Sequence, residues 1–249
     1  GLAGLLSSGF TFDHWITLFG GEFLQSILYS IWVAAASTLL AMIISLTLLF
    51  TARKLFRSRN LYRALFLPLT IPPIVLAFVI FQLYSGAGLF SRLAFQLGFI
   101  SEIQQFPALV QDPYAVGIIM AHVFLVFPFF LLVLLNLYEH EKLDQIEAVA
   151  SSLGAGKRTI LFQLQLPVLL RGMFPLIALY FIFFMGAYEI PLLLGQSSPH
   201  MISVLILENL QRYNLANIPV AHSMAVWYAA LCIGTISWLF SRYRRKVAL

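Results

Sequence analysis

The sequence predicts an all-α, polytopic helical membrane protein with five spans. Three observations predict it: the composition, five long apolar stretches, and the placement of the basic residues around them. Of 249 residues, 61% are hydrophobic and 10% charged, and the mean hydropathy is +0.91. A soluble domain carries about 25% charged residues, so a surface this poor in charge is one that lipid covers. The 23 Phe fit the same surface, because they fill space without polar atoms. The soluble class is excluded. The net charge of +5 does not point to nucleic acid. The basic residues flank apolar runs, as they do in membrane proteins.

A helix rises about 1.5 Å per residue, so roughly 20 apolar residues cross the hydrocarbon. The first such stretch, 23–52, holds no charge between Glu22 and Arg53. The second, 64–84, runs from Arg63 to a Ser85-Gly86-Ala87-Gly88 turn. The third, 114–138, carries His122, and the fourth, 172–194, is interrupted only by Glu189. The fifth, 220–240, ends before Arg242. A sixth apolar run, 201–207, is too short to span and reads as a short helix at the outer surface. Pro68, Pro72 and Pro73 fall in the second stretch, Pro128 in the third, and Pro175 and Pro191 in the fourth. Each alone reads as a packing kink. Together they are consistent with a pathway that bends, since freed backbone groups in hydrocarbon need a neighbour or a wet cavity.

Thirteen of the 15 Lys and Arg residues fall on one side of this arrangement. Arg53, Lys54, Arg57, Arg59 and Arg63 follow the first span; Lys142, Lys157, Arg158 and Arg171 follow the third; Arg242, Arg244, Arg245 and Lys246 form the tail. Only Arg92 and Arg212 lie opposite. Basic loops stay cytoplasmic, so the chain is expected to start outside and end inside. The whole chain, 1–249, reads as one transmembrane domain. Cys232, the single cysteine, lies in an apolar run and reads as packing. The five His (14, 122, 140, 200 and 222) are scattered, with none paired at helical spacing to another ligand, and no metal site is expected. The glycines around Gly154 and Gly156 lack the spacing of a nucleotide-binding loop.

The loop 139–171 carries the most information. Leu143, Ile146, Ala150 and Leu153 recur at three- and four-residue intervals, which predicts a short amphipathic helix with one apolar face. Gly154 and Gly156 end it, and a second helical stretch, 157–166, leads to Pro167 and back into the membrane. Such a helix suits docking into a groove on a partner protein. It equally suits lying flat on the bilayer, since both need the same single stripe.

The run Glu147-Ala148-Val149-Ala150-Ser151-Ser152-Leu153-Gly154-Ala155-Gly156, continuing to Leu164-Gln165-Leu166-Pro167, resembles the EAA loop of ABC importer permeases. From Gly154 the spacing to Leu164, Leu166 and Pro167 matches the family pattern, with Leu where that pattern has Ile. Registered on Gly154, the family's Glu falls on Ala148 and its two Ala on Val149 and Ala150, so Glu147 stands one position early. The resemblance implies the type I importer (MetI-like) transmembrane fold in the bacterial plasma (inner) membrane. It implies two ATP-binding subunits gripping the loops, and a second permease subunit, identical or homologous, completing the pathway. An extracytoplasmic solute-binding protein would deliver the substrate. ATP and Mg would be held by the partner ATPase, with no cofactor and no catalytic residue in this chain. Glu147, Ala148, Val149, Ala150, Leu153, Gly154, Ala155, Gly156, Leu166 and Pro167 are the residues it assigns to ATPase coupling. Many family members carry one more N-terminal span, and the apolar start at residues 1–9 is consistent with its loss here. Residues 11–15 and the run from Gly186 to Gly195 resemble the polyamine, ferric iron, thiamine and aminophosphonate subgroup. The implied cargo is a small polar or cationic solute such as a polyamine.

Glu189 is the one acid inside a predicted span, and intramembrane carboxylates usually face a partner or a wet cavity. With Tyr188 and His122 it is a candidate for the substrate pathway, near an outer gate or in contact with a cationic solute. Close to the end of its stretch, it fits a solvated interfacial carboxylate better. His122, Asn136 and Ser223 read as helix–helix hydrogen bonds ahead of substrate contacts. Asp112-Pro113 reads as a helix start. A membrane-embedded enzyme would need paired acids, a Ser/His/Asp set or a metal cluster, none of which the spans supply. A secondary transporter usually shows inverted repeats and several intramembrane ionisable groups, and neither is visible.

Overall fold

Five helices long and apolar enough to cross a membrane build the protein, and no strand occurs among the described residues. The computed structural model describes residues 21–107, 109–212 and 217–247. The apolar start at 1–9 and the segment 11–15, both singled out in the sequence, lie outside the described residues.

Helix α1, Glu22–Ala52, runs unbroken because it contains neither Gly nor Pro. Its buried face carries Ser26, Ser30, Ala34, Ser37, Ala41 and Ser45, small residues spaced three or four apart. Small side chains let two backbones approach closely in a membrane, and this face meets α5, Val116–His140, in the largest helix pairing of the fold. The opposite face, with Leu28, Trp32, Leu39 and Ile43, is exposed apolar surface suited to lipid.

The second span departs from the prediction. Instead of one helix over 64–84, the chain forms α2, Arg59–Ala64, a single 3₁₀ turn at Pro68–Thr70, and α3, Pro73–Tyr84. Proline disfavours helical geometry in the residue before it, and Ile71, ahead of Pro72, is extended with ψ 122°. Pro73 then occupies the first helical position, where its missing N–H is no loss. Helix α4, Leu89–Gln96, follows the Ser85–Gly88 turn, so the spanning unit is Pro73–Gln96.

Helix α5 starts where Asp112-Pro113 predicts. The buried Asp112 carboxylate accepts the backbone N–H of Tyr114 at 3.0 Å and of Val116 at 2.9 Å. Helix α6, Leu143–Ser152, follows directly, and Lys142 at φ +50° makes the sharp turn between them.

The fourth span is longer and earlier than 172–194. Helix α7 is continuous over Lys157–Met185 and contains a stretch of wide π turns at Ile160–Gln165. The predicted separate stretch 157–166 is therefore the first part of the span itself. The π turns leave Pro167 room for its ring, and the helix continues through it. The helix stops at Gly186, and α8, Glu189–Leu194, is a separate short helix packed on α3 and α5. The short outer run forms α9, Ile202–Gln211, packed on α10, Asn217–Val247.

Two of the three apolar cores found among the described residues divide the bundle along its length. One, near the Arg53 end of α1, gathers Leu49, Phe130, Leu134, Leu143, Leu169 and Met173. The other, toward the Glu22 end, gathers Val33, Ala77, Ile118, Ile190, Leu194 and Met201. The first core locks α6 against α5 and α7; the second holds α8 and the start of α9.

Candidate functional site

The predicted loop residues stand together at the Arg53 end of the bundle. Helix α6 ends in a full glycine cap. Gly154 has φ +85°, its N–H donates to the Ser151 carbonyl at 3.0 Å, and the Ala155 N–H donates to the Ala150 carbonyl at 3.0 Å. This pairing satisfies the last carbonyls of the helix and requires a left-handed residue at Gly154. Gly156 is extended and would accommodate a β-carbon freely. The two glycines are therefore not equivalent.

The apolar stripe of α6 is split between two environments. Leu143 is fully buried among α5 and α7 side chains. Val149 is 61% exposed, Leu153 is 82% exposed, and Ile146 is exposed beside them. Leu143 anchors the stripe at one end, while Ile146 and Leu153 of the stripe, with Val149 beside them, present large apolar side chains to the surroundings. Ala148 and Pro167 are also exposed, while Ala150, Ala155 and Leu166 are half-buried.

What holds α6 in this pose is a polar knot that sequence reading missed. Arg53, capping the end of α1, places Nη2 2.8 Å from Asp144 Oδ1 and 3.6 Å from Glu147 Oε2. Its guanidinium lies over the Tyr138 ring, 4.4 Å from the centroid. The Tyr138 hydroxyl, at the end of α5, is 3.3 Å from Glu147 Oε2 and 3.4 Å from Asp144 Oδ1. Gln165 is 4% exposed and closes the knot. Its Nε2 donates to Glu147 Oε2 at 3.0 Å and to Tyr138 Oη at 3.1 Å. Four helices thus meet on two carboxylates. Glu147, one position ahead of the family register, turns inward to this knot. The missed signals were ordinary ones: Arg53 counted only as a flanking charge, and Gln165 only as a spacer between Leu164 and Leu166.

The candidates for a pathway lie elsewhere. His122 is buried in mid-span, its Nδ1 3.3 Å from Ser37 Oγ on α1 and its ring stacked on Phe184 at 4.2 Å. This is the helix–helix hydrogen bond expected of it. Asn136 and Ser223 differ: each bonds a carbonyl of its own helix, Leu132 and Pro219, because a carbonyl four residues back is always within reach. Glu189 is not inside a span. The break at Gly186 places it, exposed, in the first turn of α8, where the helix dipole favours a carboxylate. Tyr188 precedes it and its carbonyl accepts the Leu192 N–H at 2.9 Å. Glu189 and Tyr188 sit at the opposite end of α7 from the polar knot, and His122 with neither. Among the described residues no group of three or more His, Cys, Asp or Glu side chains is arranged to hold a metal ion. Two apolar cavities flank α7, one of about 490 Å³ beside Gly172, Pro175 and Ile236, the other of about 380 Å³ beside Thr38, Phe174 and Thr235.

Residues 38–248 match the family of binding-protein-dependent transport system inner membrane components. The thiamine transport system permease protein ThiP of Brucella abortus is 29% identical over 171 residues, which cover 67% of this chain and 30% of that protein. The probable ABC transporter permease protein y4fN of Sinorhizobium fredii is 36% identical over 115 residues, covering 45% of this chain and 20% of that protein. The chain thus spans about 30% of the length of the Brucella relative. Among solved structures, a bacterial ABC transporter that imports the acidic polysaccharide alginate superposes with a TM-score of 0.72 at 17% identity, over 97% of this chain and 86% of that one. The same TM-score is found at 19% identity for a bacterial alginate ABC transporter in complex with an alginate-bound periplasmic protein. At these identities the likeness is one of fold.

Proposed function

We propose that this chain, which belongs to the family of binding-protein-dependent transport system inner membrane components, is a permease subunit that forms half of an ATP-driven import pathway. The observation that carries the reading is the exposed tip of α6. Val149 and Leu153 stand out beside a glycine cap, on a helix fixed to the bundle by charge pairs. Bare apolar side chains on a rigid short helix are a docking surface for a groove. The groove is that of an ATPase subunit, one for each of two permeases, and ATP and Mg are held there. Closure of the two ATPases draws the two α6 helices together and turns the pathway outward. A second permease subunit, a copy or a homologue, completes the pathway, and the apolar cavities flanking α7 are surfaces available to it. A solute-binding protein delivers the cargo at the Glu22 end. The basic loops put α6 and the C-terminus in the cytoplasm, and the membrane is the bacterial inner membrane.

For the cargo we propose a small cationic solute, a polyamine or a thiamine-like cation. The exposed Glu189 at the far end of α7 and the thiamine relatives support that reading.

The test is co-purification and uptake. Leu153→Asp is expected to abolish recovery of the ATPase with the membrane subunit, while the chain still folds. Spermidine and thiamine, each offered with the binding protein, separate the cargo classes by ATPase stimulation. Retention of the ATPase by Leu153→Asp would sink the docking assignment and leave the bilayer as the surface that α6 lies on.

A further inference from the structure

We infer that Arg53 is a positioning residue that makes α6 and the adjoining parts of α1, α5 and α7 move as one body; this rests on the reading of α6 as the coupling helix. A docked helix transmits force only if it is stiffly joined to the spans, and backbone alone does not supply that joint. Helix α6 is tethered by the left-handed Lys142 on one side and by the Gly154-to-Gly156 turn on the other. Each tether is short, with one left-handed residue at its pivot, Lys142 or Gly154. Its one fully buried side chain, Leu143, lies at its first residue, so apolar packing grips one end only.

The knot supplies the missing grip. Arg53 belongs to α1, Tyr138 to α5, Asp144 and Glu147 to α6, and Gln165 to α7. Arg53 engages three of the other four, through two carboxylates and a ring face. The two carboxylates have the Tyr138 hydroxyl between them, and the buried Gln165 amide reaches Glu147 and that hydroxyl with the same nitrogen. Without the guanidinium, both α6 carboxylates lose the cation that ties them to α1 and to the Tyr138 ring face, and the hold of α6 on α1 weakens. The π turns at Ile160–Gln165 end on Gln165. A π turn holds one more residue than an α turn, so this stretch sets the rotational phase that points Gln165 at Glu147.

The experiment uses the intact complex of this chain with its ATPase, in nanodiscs. Cys232 is replaced by Ser, and spin labels are placed at Thr47 on α1 and Gln145 on α6, both exposed. Mg-ATP with vanadate is the only ligand added. In the parent protein the label-to-label distance is expected to stay the same with and without nucleotide. In Arg53→Met it is expected to change or broaden by about 5 Å, the scale of a one-turn slip between elements, while the ATPase still co-purifies in full. Arg53→Lys, which keeps the charge, restores the parent distance. Tyr138→Phe, which keeps the ring and the fold, gives a smaller broadening of the same kind. An unchanged distance in Arg53→Met overturns the inference, as does an unchanged distance in Tyr138→Phe should Arg53→Met not accumulate. An ATPase that fails to co-purify with the parent chain overturns the coupling reading itself, and this inference with it.

Discussion

Gly186 and Tyr228 meet so closely that a β-carbon on Gly186 would lie 2.6 Å from the phenol oxygen. Gly186 ends α7 and Tyr228 belongs to α10, so this one contact sets how near the last span stands to the fourth. A Tyr side chain has only two torsions, and its oxygen cannot retreat without tilting the ring. Gly186→Ala is expected to lower stability by about 1–3 kcal/mol through overpacking. Tyr228→Phe removes the obstructing atom, and the double variant should recover most of the loss. The thermal unfolding midpoint in detergent reads the cycle, and simple additivity of the two changes would refute the contact.

Ser30 has a double role that its small size conceals. Its hydroxyl donates to the Ser26 carbonyl at 2.7 Å and accepts the backbone N–H of Ile202 at 2.8 Å. That N–H opens α9, where the helix itself offers no acceptor. Ser30→Ala leaves it buried and unpaired, at a cost of about 1–3 kcal/mol. Faster hydrogen exchange confined to the start of α9 is the expected sign. Unchanged protection at Ile202 would mean another acceptor takes over.

These two contacts show what the sequence conveys and what it withholds. The five spans, the Asp112 cap and the Gly154 cap were legible, because each depends on local pattern: apolar length, a carboxylate before a helix, a glycine after one. The small-residue face of α1 was equally local and was overlooked, although Ser26, Ser30, Ala34, Ser37, Ala41 and Ser45 mark it at helical spacing. Span limits failed where backbone chemistry overrode hydropathy. Pro72 and Pro73 split an apolar run, and the wide turns before Pro167 joined two runs expected to be separate. The knot of Arg53, Tyr138, Asp144, Glu147 and Gln165 was not legible, because four separate segments contribute to it and each residue type is ordinary at its place.

The two loop glycines, Gly154 and Gly156, should respond differently to the same change. At Gly154 a β-carbon meets no neighbour, so the cost of Gly154→Ala is backbone strain at φ +85° alone. That strain is about 1–2 kcal/mol. Gly156→Ala carries neither strain nor a clash and should be within about 0.5 kcal/mol of the parent. Hydrogen exchange at the last turn of α6 distinguishes them: protection should fall in the first variant and hold in the second. Equal losses would show that Gly156 has a contact of its own.

Leu143 and Leu153 belong to one stripe by spacing and to opposite environments in fact. Leu143 is fully buried against α5 and α7, and truncation to Ala removes packing that cannot be refilled from the solvent side. A loss of about 2–5 kcal/mol follows for Leu143→Ala, read as a lower unfolding midpoint and poor accumulation. Leu153, 82% exposed, has little packing to lose. Leu153→Ala should therefore leave stability within about 0.5 kcal/mol while weakening recovery of the ATPase, since the removed surface is the part offered outward. The separation of the two effects is what the docking reading demands. If Leu153→Ala instead lowered the midpoint of the isolated chain and left ATPase recovery intact, its side chain would be an internal contact, and α6 would have no outward apolar tip to offer a partner.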